Sequence, residues 1–63
     1  MAWRWHEPGP KGRSGSLEET RDAAVADAVR FSRGGRPVED AALREVLWRS
    51  LRRAGWRVVE AGR

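Results

Sequence analysis

The chain has 63 residues, a formal net charge of +4, twelve arginines against one lysine, and no cysteine. That length allows one small domain with a thin core, and the missing cysteine excludes disulfides and thiolate metal sites. No apolar run approaches the ~20 residues that span a bilayer, and Met1-Ala2-Trp3-Arg4-Trp5-His6 lacks the basic-then-apolar layout of a secretory signal, so a cytoplasmic protein with no membrane association is expected.

Residues 2–6 alternate, with Trp3 and Trp5 on one side and Arg4 and His6 on the other, which is the period of a short half-buried strand. Pro8 and Pro10 end it, and the Pro-, Gly- and Ser-rich residues 7–15 read as a loop or linker. Ser16 with Glu19 three residues later gives a capping box, which predicts helix 1 over about 17–33. Leu17, Ala24, Ala28 and Phe31 share its apolar stripe, Val25 and Val29 flank it, and Gly34 and Gly35 stop it.

Helix 2 is predicted over about 37–54, with Pro37 in its first turn and Gly55 as its stop signal. Leu43, Val46, Leu47, Ser50, Leu51 and Ala54 recur at helical spacing and are expected to face inward. Asp40–Arg44 and Glu45–Arg49 are spaced for intrahelical ion pairs. Trp56-Arg57-Val58-Val59 is prone to extend as a second strand. The fold expected for residues 1–63 is therefore α+β and mostly α: an antiparallel helical hairpin with short N- and C-terminal strands, β-α-α-β, whose strands pair as a small ribbon.

Acidic and basic stretches alternate, so that in an antiparallel hairpin each helix end meets the opposite charge on its neighbour. This accounts for much of the helical arginine. An excess remains at the chain ends: Arg4, Lys11 and Arg13 before the hairpin, and Arg52, Arg53, Arg57 and Arg63 after it. If the strands pair, these residues are expected to meet as a phosphate-binding surface for DNA or RNA.

Trp3, Trp5 and Trp56 are expected to supply core volume that the nine alanines cannot. Trp48 lies off the leucine stripe, with Arg44 and Arg52 four residues either side of it. It reads either as a covered flank residue or as an exposed anchor for a protein partner. A third reading is a stacking platform for an unpaired base. Trp48, Arg44, Arg52, Arg53 and Arg57 are thus the candidate partner-binding residues. Arg4, Lys11, Arg13, Arg52, Arg53 and Arg57 are the candidates for nucleic acid.

With His6 as the single histidine, no Cys/His metal set can be built, and no nucleophile motif surrounds Ser14, Ser16, Ser32 or Ser50. "RGGRP" lacks the spacing and lysine of a phosphate-binding loop. No catalytic residue, metal or cofactor is therefore expected, and the protein is not expected to be an enzyme. A strand before two helices resembles the ribbon-helix-helix arrangement, in which Arg4 and His6 would enter the major groove. The long residues 7–15 and the interhelical "SRGGRPVED" depart from it, and no family is assigned. Two functions are consistent with the sequence. One is a small binding protein that acts on another protein or on itself, as an adaptor, inhibitor, regulator or accessory subunit. The alternative is an arginine-rich nucleic-acid-binding protein or nucleoprotein subunit.

Overall fold

Trp3–His6 extends as β1, and its partner is the far end of the chain: Arg57–Glu60, β2, pairs with it antiparallel, Trp3 opposite Glu60 and His6 opposite Arg57. Between them lie α1 (Arg21–Ser32) and α2 (Ala41–Arg53). The computed structural model describes residues 1–61, so Arg63 lies outside the described residues. The order is β-α-α-β with a two-stranded antiparallel sheet, a small α+β fold.

Residues 7–15 are not a free linker. On the other edge of β1, Trp3 and Glu18 exchange backbone hydrogen bonds of 2.8 Å, the Gly15 N–H donates to the Trp5 carbonyl (3.0 Å), and the Glu7 N–H donates to the Arg13 carbonyl (2.8 Å). Bridges Trp3–Glu18 and His6–Ser14 leave one more residue on the 14–18 side than on β1, which is a bulge. Gly15 is required there, because a Cβ would fall on the indole of Trp5. Gly55, at φ +110°, makes the turn from α2 into β2, where a side chain would also strike Pro8.

This pairing moves the start of the first helix. Glu18 belongs to the sheet edge, so α1 begins at Arg21, not near 17, with Thr20 as its N-cap; the Thr20 Oγ1 accepts from the Ala23 N–H at 3.0 Å. Ser16 instead donates its hydroxyl to Glu18. Leu17 precedes the helix and is 54 % exposed, so it is not part of the core stripe. The second helix likewise starts later than Pro37. Asp40 caps it, accepting from the Ala42 and Leu43 N–H groups at 2.9 and 3.2 Å.

The core joins Trp5 from β1, Val25, Ala28 and Val29 from α1, and Trp48 from α2, with Phe31, Leu47, Leu51, Trp56 and Val58 packed around them. Trp5, Phe31 and Trp56 form a tilted aromatic cluster, the Trp5 ring 4.7 Å from Phe31 and 5.3 Å from Trp56. Both helices share this core with Trp5 and Val58. Side chains alternate along a strand, so Arg4, His6, Arg57 and Val59 lie on the opposite face of the sheet.

Candidate functional site

Trp48 is inside. It is 2 % exposed, and its indole Nε1 is shielded from solvent without an acceptor among the described residues. It therefore offers neither a partner anchor nor a stacking platform. The physical reason is volume. An indole buries ~150–250 Å², and α1 brings only the small residues Val25, Ala28 and Val29 to the buried cluster that Trp48 shares. Arg44 does not stack on it: half-buried, its Nη1 donates to the Val38 carbonyl at 2.8 Å and ties α2 to the interhelical loop. The burial of Trp48 overturns its expected role as an exposed partner anchor, while Arg44 is half-buried and engaged with the loop.

Turning Trp48 inward turns part of the leucine stripe outward. Val46 sits about 200° from Trp48 around the helix and is 58 % exposed, and Leu43 is 48 % exposed, although both were expected inside. Ala42 and Ser50 are exposed on the same side. Arg49, Arg52 and Arg53, all exposed, border this strip and line a shallow concavity of about 320 Å³. The intrahelical pairs Asp40–Arg44 and Glu45–Arg49 do not form; Asp40 is engaged as the cap. The ion pairs among the described residues are Arg13–Glu7 at 3.3 Å and Arg30–Asp27 at 2.7 Å, so Arg49, Arg52 and Arg53 have no carboxylate there.

The end cations are carried by different elements. Arg13 is drawn to Glu7, and its guanidinium lies 4.7 Å over the Phe31 ring. Lys11 is exposed in the loop, and Arg52 and Arg53 stay on α2. Arg4 and Arg57 do share the open sheet face, on adjacent strands and with His6 opposite Arg57. His6 Nδ1 and the Ser14 hydroxyl are 2.6 Å apart. Both sheet-edge carboxylates, Glu18 and Glu60, pair with Trp3 and so fall on the helix-facing side. The open face is basic for that reason. The Nε of Arg4 is shielded there and has no acceptor among the described residues.

Among the described residues, two carboxyl groups are perturbed. Glu7 titrates below the usual carboxylate range, because the Arg13 backbone N–H and then its guanidinium bond the charged form. Burial pushes the Asp27 carboxyl up, but the Trp5 indole N–H and the Arg30 guanidinium, each at 2.7 Å, outweigh it and hold the group below its ordinary value. Asp27 is a structural acid, unnoticed in the sequence because nothing there signals that an indole 22 residues away will reach it. Among the described residues, no group of three or more His, Cys, Asp or Glu is placed to hold a metal ion, and no helix is long and apolar enough to cross a membrane.

No family model matches the chain, and no curated protein and no solved structure matches it.

Proposed function

We propose that the protein is a small, non-catalytic cytoplasmic binding module that acts through protein–protein contact at the outer face of α2, as an adaptor, inhibitor or regulator, or accessory subunit. The observation that carries this is Val46 and Leu43, 58 % and 48 % exposed on one side of a helix whose buried side is filled by Trp48. Apolar residues rimmed by arginine are the composition of a docking surface. Arg52 and Arg53 keep their place in the reading, joined by Arg49, Leu43 and Val46; Arg57 belongs to the sheet face. The test is a photo-crosslinking side chain at position 46 in cells that make the protein, with one at exposed Asp22 on α1 as control. A discrete adduct from position 46 alone is expected. No adduct, or the same adducts from both positions, overturns the reading.

A second reading, nucleic-acid binding, is favoured by the open sheet face, where Arg4 and Arg57 share a surface that the pairing register keeps clear of Glu18 and Glu60. Contacts there would be to phosphate, since the strand tryptophans face the helices, and affinity for DNA or RNA would fall steeply with salt. Fluorescence anisotropy with labelled duplex DNA, single-stranded DNA and RNA tests this. Arg4→Glu/Arg57→Glu is expected to abolish binding that Arg52→Glu/Arg53→Glu leaves in place. Absence of saturable binding at low salt removes the reading.

A further inference from the structure

We infer that the outer face of α2 takes a second copy of this chain, helix against helix and antiparallel, with the two-fold axis at Val46. The inference rests on the docking reading above and names its occupant. Its basis is the lengthwise charge of the helix. Glu39 and Asp40 stand at its start and Arg49, Arg52 and Arg53 in its second half, all exposed. A parallel copy would set acid against acid and arginine against arginine. An inverted copy sets each half against its complement and also opposes the two helix dipoles.

The register follows from the exposed residues. With Val46 against Val46 of the partner copy, equal steps along the two helices bring Ala42 opposite Ser50 and Leu43 opposite Arg49, and set Arg53, the last helical residue, near the partner's capped helix start, which Glu39 precedes by one residue beyond Asp40. Ala42 and Ser50 are small, so the helices can approach closely at that level. Leu43 would lie on the aliphatic stem of Arg49, whose charged head stays in water. Asp40 is satisfied by the Ala42 and Leu43 N–H groups, which leaves Glu39 to meet Arg53. Neither Glu39 nor Arg53 has an ion-pair partner among the described residues, so no intramolecular contact has to break. Each contact occurs twice, as a self-complementary interface requires. A 13-residue helix presents a strip about 20 Å long and about 10 Å wide, on the order of 200 Å², well under the ~800 Å² per partner of a standard stable interface. The dimer is therefore a weak one, in exchange with monomer.

Sedimentation equilibrium of the full chain over a wide concentration range tests this, with circular dichroism to verify that each variant is folded. Glu39→Arg and Arg53→Glu are each expected to weaken dimerisation by about tenfold, since each places like charges together at two symmetric points. An equimolar mixture of the two is expected to restore it, because the mixed dimer has opposite charges at both points. Val46→Arg is expected to leave monomer only. A chain that stays monomeric at every concentration overturns the inference, and so does a dimer indifferent to all these variants. The adduct at position 46 then separates the two readings: an adduct with a different protein removes the second copy but keeps α2 as the docking face, and no adduct removes both.

Discussion

Asp27 shows how one side chain can fix the meeting of two elements, α1 and β1. Its Oδ2 accepts from Trp5 Nε1 of β1 and its Oδ1 from Arg30 Nη2 one helical turn on, each at 2.7 Å. The indole could not be buried with its N–H unpaired without a cost of about 1–3 kcal/mol. The carboxylate removes that cost only while ionised or correctly bonded. Its folded-state titration lies below the unfolded value, so its contribution is complete above the ordinary carboxylate range and is lost as pH falls through the folded value. Asp27→Ala is expected to destabilise the fold by about 1–3 kcal/mol at neutral pH and to flatten the acid side of the stability–pH curve. Urea titrations between about pH 7 and about pH 3 measure both. Parallel wild-type and variant curves on acidification would mean that Asp27 is not the group that titrates.

At the scale of elements, the helices and strands were legible because their periods, 3.6 and 2, differ and their stop signals, Gly34, Gly35 and Gly55, are strong. Two features were not. The start of α1 depends on the backbone of residues 14–18, which pairs with β1 instead of turning into a helix. No local pattern announces that choice: Ser16-Leu17-Glu18-Glu19 is a sound capping sequence that long-range hydrogen bonds override. The rotation of α2 was equally hidden. Leu43 and Val46 fit the same helical period as Leu47 and Leu51, and with the larger Trp48 side chain buried they are left outside. The candidate site inherits both effects, because it consists of the residues that this rotation leaves outside. The displaced cap has a direct consequence. Thr20→Ala is expected to cost about 1 kcal/mol, the usual worth of a helix cap, and Ser16→Ala less than about 0.5 kcal/mol, as for a surface change. Chemical denaturation of the two variants compares them, and a larger loss at Ser16 would return the helix start to the earlier position.

The whole molecule is held by its ends. α1 contributes only small side chains to the buried core, Ala24, Val25, Ala28 and Val29, while Trp5 comes from the N-terminal strand and Trp48 from α2. Helices of 12 and 13 residues are marginal in water alone, and so is a ribbon of two strands. Each part needs the others. β1 cannot bury Trp5 without α1, and the strands meet only when the hairpin has brought the chain ends together. Unfolding is therefore expected to be a single cooperative step. Tryptophan fluorescence, which reads the core, and far-ultraviolet circular dichroism, which reads the helices, should give superimposable urea curves. Trp48→Ala removes about 3–5 kcal/mol from a stability on the order of 5–15 kcal/mol, and it should move both curves together towards lower urea or leave the chain unfolded. Helicity that survives after the fluorescence transition would mean that α1 and α2 stand as an independent hairpin. The outer face of α2 would then be presented by that hairpin alone, and the sheet would be dispensable for docking. Coincident curves would mean that the Val46 face exists only in the complete fold, so that any loss of the core, even one remote from α2, abolishes binding as well.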